Sequence, residues 1–260
     1  MASVIGAAEE VARSFGFQWK ARARNLFERS TLYGFTVDEE RRTFFGAMGV
    51  EPRDLTGKTV LDAGCGDGFL LKALGKYPAE IIGIDINTSI EIAHRHCRDL
   101  ANVTVLQADI FAPPLAVETF DYLWCEGVLT HTEDPRKGFQ ALSNLVKRGG
   151  RMYVWVYPRD GLSIYQRIRD ALRVAHRMPR PLLLALCYVL AVPLAIAKTL
   201  LRHRERTTSV STIAFALFDN LSPRVQARHT AAEVQKWFEE NGFSDLKCSG
   251  HLGMSGTKTR

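Results

Sequence analysis

Three glycines, Gly64, Gly66 and Gly68, occupy alternate positions in the segment VLDAGCGDGFL, residues 60–70. Glycine permits a tight turn, and a loop that leads into a helix lets backbone N–H groups approach a ligand closely. The dinucleotide-binding pattern G-x-G-x-x-G requires its third glycine at position 69, where this chain has Phe69. The segment therefore predicts a nucleotide-type site with a different spacing.

Three aspartates stand at the ends of three successive apolar runs. Asp62 lies two residues before the first glycine, Asp85 follows EIIGI, and Asp109 closes NVTVLQADI. Ligands of open parallel sheets bind beyond the carboxyl ends of the strands, and a carboxylate at the position of Asp85 can accept hydrogen bonds from both ribose hydroxyls. Aspartate is also common at strand ends and helix caps, so the prediction depends on the order of all three.

The elements that must position these residues alternate between strand and helix. Such apolar strands, separated by helices, indicate a parallel sheet that is covered on both faces. The predicted fold is therefore α/β, a doubly wound, mostly parallel seven-stranded sheet. Its strands are expected at 58–63, 80–86, 102–110, 120–127, 150–157, 244–250 and 252–260.

The chain divides into three regions on this pattern. Residues 1–57 are predicted to form an N-terminal helical cap, residues 58–157 and 231–260 the core, and residues 158–230 a helical insertion after the fifth strand. Local signals predict several helix ends. Thr36 and Glu39 form a T-x-x-E capping box, and Asp134 precedes a proline at the start of a helix that is expected to stop at Gly149.

The glycine loop with Asp62, Asp85 and Asp109 resembles the class I S-adenosylmethionine-dependent methyltransferases over roughly residues 58–157. The resemblance implies S-adenosylmethionine as cofactor and S-adenosylhomocysteine as product. It implies that Asp62 lies near the amino group of the cofactor and that Asp109 meets the adenine amino group. The implied cofactor-binding set is Asp62, Gly64, Cys65, Gly66, Gly68, Asp85, Ile86, Asp109, Ile110, Cys125, Glu126 and Gly127.

An N-terminal block, SFGFQWKARA (14–23), resembles the segment that precedes the core in methyltransferases of surface-sugar and secondary-metabolite pathways. That resemblance implies that Phe17, Gln18 and Trp19 close over the cofactor. The alternative is a helix that packs its aromatic residues onto the sheet.

Two histidines are candidates for a general base. His131 lies in GVLTHTEDP, which resembles the VL-x-H-x-x-D-P stretch of quinone-pathway and biotin-pathway methyltransferases. The alternative for His131 is a turn residue or a contact to the cofactor carboxylate. His229 follows the insertion, and its alternative is an exposed residue before the helix cap Thr230. In methyl transfer, most of the acceleration comes from holding the acceptor atom in line with the methyl group of the cofactor. A general base therefore adds only about 10²–10⁴-fold.

Several absences narrow the prediction. CEGV follows the fourth strand in place of the N/D-P-P-Y motif of enzymes that methylate base amino groups, and Cys125 follows Trp124 rather than a proline. No Asp, Glu or His cluster has metal-ligand spacing, so no metal is predicted.

The five cysteines form no C-x-x-C pair, and the first residues have paired glutamates rather than a basic start. These features predict a cytoplasmic protein.

The insertion concentrates the positive charge of the chain. Residues 159–206 contain ten Lys or Arg and three Asp or Glu, whereas the net charge of the whole chain is +6. Residues 162–180 are predicted to form a basic amphipathic helix, followed by an uncharged stretch at 181–197 that Pro193 interrupts. Contact of 162–206 with an anionic membrane surface is favoured. Burial of the stretch in the core or in a homodimer remains an alternative, and a spanning helix is disfavoured because about 20 apolar residues are needed.

The sequence thus predicts methyl transfer to a small hydrophobic or amphiphilic acceptor, with oxygen as the favoured acceptor atom. A first alternative is an RNA methyltransferase that uses the basic insertion. Nucleic acid is disfavoured because the basic residues flank an aliphatic run instead of alternating with aromatic residues. A second alternative is a non-catalytic, membrane-associated module that binds the cofactor. The favoured location is the cytoplasm, at the inner face of a membrane.

Overall fold

A computed structural model describes residues 2–159, 164–172, 174–200, 209–250 and 252–260. Its main sheet has seven strands: β3 (Thr59–Ala63), β4 (Glu80–Asp85), β5 (Val103–Gln107), β6 (Phe120–Glu126), β7 (Val146–Trp155), β8 (Phe243–Ser249) and β9 (Gly253–Lys258). The strand order is β5-β4-β3-β6-β7-β9-β8. Among the described pairings of this sheet, those of β9 with β7 and β8 are antiparallel and the others are parallel. The predicted mostly parallel, seven-stranded α/β sheet is confirmed.

Helices cover both faces of this sheet. They are α2 (Val37–Met48), α3 (Phe69–Leu74), α4 (Ile90–Cys97), α5 (Pro135–Ser143) and α9 (Ala231–Glu240). One buried cluster, which includes Phe139 and Phe238, joins α5 and α9 to the sheet, and a second, which includes Phe44 and Leu71, joins α2, α3 and α4 to it. The order reverses between β3 and β6, so their carboxyl ends face an open crevice.

The N-terminal region is less helical than the sequence predicts. α1 spans Ala2–Ala23, and a small hairpin of β1 (Thr31–Leu32) and β2 (Phe35–Thr36) then leads into α2. The predicted capping box is confirmed, because Thr36 N donates to Glu39 Oε2 at 2.8 Å and Glu39 N donates to Thr36 Oγ1 at 3.3 Å. The hairpin turns at Tyr33 and Gly34, whose φ values of 51° and 86° a helix does not contain.

Two further boundaries differ from those that the sequence predicts. α5 ends at Ser143, and the chain joins β7 at Val146 instead of remaining helical to Gly149. Val146 pairs with Phe120 and is fully buried, and the following glycines lie in a register shift of the sheet. The third strand ends at Gln107, so Asp109 lies in the loop beyond it.

The insertion is helical and lies against α1. α6 spans Ile164–Ala171, α7 spans Arg180–Leu200 and α8 spans Val210–Leu221. The single helix predicted over 162–180 is therefore wrong, because a turn at Ala175–Arg177 separates α6 from α7. Residues 162–163 and Arg173 of that prediction, and residues 201–206 of the predicted membrane contact, lie outside the described residues. α7 continues through Pro193.

A third buried cluster joins the insertion to α1. Trp19 of α1 and Leu183 of α7 belong to it together with Phe215 and Phe218 of α8, and the last two are 4% and 0% exposed. This cluster holds the insertion over the crevice at the carboxyl ends of β3 and β6.

Candidate functional site

The glycine loop between β3 and α3 is closely covered by two side chains. A Cβ on Gly64 would lie 2.1 Å from Cγ2 of Val128, and a Cβ on Gly66 would lie 2.7 Å from the Trp19 ring. Both glycines have positive φ, 90° and 55°. No other residue type fits these two positions without displacement of its neighbours.

Asp85 is already oriented by this loop. Its Oδ2 accepts a hydrogen bond from Gly66 N at 2.9 Å, and its Oδ1 accepts from Asn87 N at 3.0 Å and from the Asn87 side chain. Burial raises the pKa of Asp85, and the hydrogen bonds from Asn87 and Gly66 oppose that shift. The carboxylate is therefore fixed at the end of β4 as an acceptor.

α1 is anchored to the loop by a buried ion pair. Arg22 donates to Asp67 and also to the carbonyls of Glu28, Arg29 and Thr31 at 3.0–3.1 Å. Burial lowers the pKa of Arg22 to about 10, which leaves the guanidinium charged at neutral pH. These bonds hold Trp19 of the same helix over the glycine loop.

Three carboxyl groups form an acidic floor beside the loop, defined here as Asp62, Glu40 and Glu126. Burial, followed by the nearby Asp85 and Glu126, raises the pKa of Asp62 well above its ordinary value. Burial, with Glu126 and Asp62 close by, raises the pKa of Glu40 to about 8. The acidic floor would favour a cationic ligand over a neutral one.

One cavity of about 910 Å³ extends from the glycine loop to the insertion. Most of the predicted cofactor residues line it: Trp19, Asp62, Gly64, Cys65, Gly66, Asp85, Ile86, Asp109, Ile110, Glu126 and Gly127. The structure thus brings together residues from α1, from the glycine loop and from the ends of four elements of the core.

Five predicted site residues lie outside this lining. Gly68 caps α3, and Cys125 is fully buried within β6. Phe17 stacks on Phe218 at 5.5 Å, and Gln18 donates to Asp219 at 3.2 Å. His229 lies 3.5 Å from Glu233, and its ring is 4.7 Å from that of Trp237.

His131 lines the cavity and has a defined tautomer. Its Nδ1 lies 2.9 Å from the carbonyl oxygen of Val225, and a carbonyl only accepts, so Nδ1 carries the hydrogen. Among the described residues its Nε2 has no hydrogen-bond partner. Burial lowers the pKa of His131, although the nearby Asp219 opposes the shift. The imidazole is therefore neutral at pH 7, with a free lone pair on Nε2.

Asp219 of α8 is a buried carboxylate that the sequence did not single out. It is 3% exposed and lines the cavity. Its Oδ1 accepts hydrogen bonds from Tyr33 at 2.7 Å and from Gln18 at 3.2 Å, and its Oδ2 accepts from Tyr157 at 2.7 Å. The one signal in the sequence is an acidic residue within the apolar run IAFALFDNL.

The residues at the loop fit S-adenosylmethionine. The Gly64–Gly66 turn leaves room that a Cβ would fill, Asp85 presents a fixed carboxylate, and Ile86 and Ile110 supply apolar walls. Within the described part of the chain, no group of three His, Cys, Asp or Glu residues could hold a metal ion.

Residues 61–154 match the family described as methyltransferase domain. The strand order and the glycine loop agree with this match, and all three support a class I S-adenosylmethionine-dependent methyltransferase domain over these residues.

The chain is also similar to individual members of this class. A ubiquinone biosynthesis O-methyltransferase from Paraburkholderia phymatum is 35% identical over 130 residues, which cover 48% of this chain and 56% of the relative. The match therefore spans little more than half the length of that relative.

Two solved structures share the fold. A SAM-dependent methyltransferase from Aquifex aeolicus has a TM-score of 0.51 and 17% identity, over 91% of this chain and 95% of that one. Magnesium protoporphyrin IX methyltransferase from Synechocystis PCC 6803 with bound SAH has a TM-score of 0.50 and 19% identity, over 85% and 81%.

Proposed function

We propose that this protein transfers the methyl group of S-adenosylmethionine to an oxygen of a small hydrophobic or amphiphilic acceptor. S-adenosylmethionine supplies a methyl group that is activated by its sulfonium. The observation that carries the proposal is the neutral imidazole of His131, which faces a cavity continuous with the glycine loop. The O-methyltransferase name of the Paraburkholderia relative supports oxygen as the acceptor atom, and the SAH bound to the Synechocystis neighbour supports the cofactor.

The chain's own residues have three tasks in this proposal. Asp85 and the glycine loop hold the cofactor, and the apolar walls of the cavity orient the acceptor and exclude water. His131 Nε2 accepts the proton of the acceptor hydroxyl while Val225 keeps the hydrogen on Nδ1. His229 has no task here, because it lies beside Trp237 and outside the cavity lining.

The test is His131→Gln, assayed by release of S-adenosylhomocysteine with a panel of alkyl-substituted catechols. We expect kcat to fall about 10²–10⁴-fold, the usual contribution of a general base. Cofactor affinity, measured by calorimetry, should stay within about twofold of the wild type, since positioning by the loop is retained. The matched control is His94→Gln, which replaces an exposed histidine of α4.

The pH profile separates a base from a packing residue. Because burial lowers the pKa of His131, wild-type kcat/KM should fall only on the acid side, and the variant should lack that limb. Methyl transfer to RNA, or tight cofactor binding without turnover of any catechol, would contradict the proposal and favour the corresponding alternative.

We further propose that the outer face of α7 rests on an anionic membrane surface at the cytoplasmic side. This face is defined by Leu182, Val189, Val192 and Ile196, which are 48–68% exposed. Their spacing places them on one side of the helix, opposite the buried Leu183, Cys187 and Ala191.

Charge and packing favour a surface position. Exposed basic residues such as Arg167 and Arg177 lie close to α7 in the sequence, within a segment of strongly positive charge. Residues Arg180–Thr199 are long and apolar enough to cross a membrane, with a mean hydropathy of 2.1 and 22% of the window buried. A crossing would remove the inner face of α7 from α8, which carries Asp219, so a surface position preserves the cavity. The free cysteines, four of them buried, suit a reducing compartment.

The test is co-sedimentation with vesicles of phosphatidylcholine, with and without phosphatidylglycerol. We expect binding only to the anionic vesicles, and loss of binding at high salt and in the triple variant Val189→Ser, Val192→Ser, Ile196→Ser. Val117→Ser is the matched control, because Val117 is 69% exposed on a loop outside the insertion. Binding to RNA, a dimer that the triple variant abolishes, or resistance to alkaline extraction would each overturn the surface position.

A further inference from the structure

The acceptor half of the cavity, defined as the part beneath the insertion, contains a buried carboxyl group. Asp219 lines it, and among the described residues no Lys, Arg or His lies within ion-pair distance of this carboxylate. In the described lining, Lys137 is the one Lys or Arg, and it is paired with Asp134 at 3.5 Å. A buried charge without a counterion is costly, so a ligand that supplies the counterion is favoured here.

Asp219 retains capacity to accept one more hydrogen bond. Its two oxygens offer about four lone-pair sites, of which Oδ1 uses two and Oδ2 uses one. All three partners are neutral donors. Burial and the nearby Asp219 raise the pKa values of Tyr33 and Tyr157 well above their ordinary range, so both hydroxyls stay protonated and donate to Asp219.

The surroundings of Asp219 contain an excess of hydrogen-bond acceptors. The amide oxygens of Gln18 and Gln226 are buried and have no hydrogen-bond partner among the described residues. Gln18 donates to Asp219 at 3.2 Å, and Gln226 donates at 3.3 Å to Asn220, the next residue along α8. These oxygens add negative potential to that of the carboxylate.

Aromatic rings form the walls beside this carboxylate. Tyr33, Tyr157, Trp155 and Phe15 all line the cavity. The ring of Tyr157 lies 5.0 Å from that of Trp155 and 5.7 Å from that of His131, which in turn is 4.8 Å from Phe15. Aromatic faces around a carboxylate are suited to bind an organic cation through cation–π contacts.

We propose that Asp219, with the rings of Tyr33 and Tyr157, binds a protonated amine of the acceptor. The inference rests on the proposed function, because it assigns the chemical class of that acceptor: a hydroxylated, largely apolar molecule that carries an ammonium group. An ammonium donates to the open position on Oδ2 and supplies the missing positive charge. An acceptor with a carboxylate at the same place would be repelled.

Three phenols of similar size test this assignment by their charge alone: tyramine, 4-ethylphenol and 4-hydroxyphenylacetate. Their affinities are measured by calorimetry on the full chain saturated with S-adenosylhomocysteine. We expect tyramine to bind at least about tenfold more tightly than 4-ethylphenol, a difference of about 1.4 kcal/mol, and 4-hydroxyphenylacetate to bind most weakly. A carboxylate that binds as well as the amine, or no tyramine binding at millimolar concentration, overturns the assignment.

Asp219→Asn then identifies the residue responsible. The preference for tyramine over 4-ethylphenol should fall below about threefold, and the affinity for 4-ethylphenol should change little. Asp170→Asn is the matched control, because Asp170 belongs to α6 of the same insertion but is exposed and paired with Arg228 at 3.4 Å. An unchanged preference in Asp219→Asn also overturns the assignment. If that variant does not fold, the ranking of the three phenols on the wild type still decides.

Binding tests the amine site and turnover tests the proposed function, so the two can fail independently. Tyramine that binds preferentially but is never methylated on oxygen would contradict the proposed function and leave the amine site standing. O-methylation of all three phenols, bound with equal affinity, would overturn the amine site and leave the proposed function standing.

Discussion

The half of the cavity beside the glycine loop is built from short segments that follow one another in the core, whereas the acceptor half joins residues that are distant in sequence. Gly66 and Asp85 are 19 residues apart, but Gln18 and Asp219 are 201 apart, and Ser14 bonds Ser222 across 208. The half beside the glycine loop, which the proposed function makes the cofactor half, depends on backbone turns at the strand ends. The acceptor half depends on side chains brought together by the packing of α1 against α8. A change in the insertion should therefore alter acceptor recognition more than cofactor binding.

The largest expected effect comes from the core that supports the acceptor half. Phe218→Ala removes a fully buried ring that contacts Phe17 and Phe27, and we expect it to lower the free energy of unfolding by about 3–5 kcal/mol. Urea denaturation measures this. Ile196→Ala, on the exposed face of α7, should change it by less than about 0.5 kcal/mol. Equal losses of unfolding free energy in the two variants would contradict the difference in burial between Phe218 and Ile196.

A smaller effect, confined to the cofactor half, is expected for Asp85→Ala. The variant loses a fixed carboxylate and frees Gly66 N, so cofactor affinity should fall about 10–100-fold, which corresponds to about one hydrogen bond to a charged group. Calorimetry with S-adenosylhomocysteine checks this, with the exposed Asp99→Asn as control. An unchanged affinity would remove Asp85 from the cofactor site.

The smallest effect concerns the acidic floor, where the two halves meet. The pKa of Glu40 is about 8 in the folded protein, above its ordinary value, so the folded state binds an extra proton between about pH 5 and pH 8. The free energy of unfolding should therefore fall as the pH rises through this range. Glu40→Gln cannot ionise at this position, so its free energy of unfolding should fall by at least about 1 kcal/mol less than that of the wild type between these pH values. Denaturation at pH 5 and pH 8 measures the difference, and parallel behaviour of the two proteins would contradict it.

The crevice beside the glycine loop could be predicted from the sequence because its signals are local. Gly64, Gly66 and Asp85 each stand at a strand end, and strand order alone brings such ends together. The acceptor half could not be predicted in this way. Nothing near Asp219 in the sequence indicates that Tyr33 and Tyr157 donate to it, because their approach depends on how the insertion folds back over the crevice. The ends of α5 and α6 could not be predicted for a related reason. After α5 the chain pairs with the sheet at Val146, and after α6 it turns at Ala175–Arg177, although the local residues favour a continued helix.

The way in which the insertion leaves and re-enters the core has a consequence for how this protein can change. Pro158 forms a bridge to His229, Arg159 N donates to His229 O at 2.8 Å, and His229 N donates to Tyr157 O at 2.9 Å. The two ends of the insertion are thus fastened side by side at the rim of the sheet. The insertion can therefore change in length or sequence without a change in the sheet register, because the entropic cost of closing a loop rises only slowly with its length. Replacement of this one continuous segment would therefore change the cover of the cavity and leave the strand ends of the sheet in place.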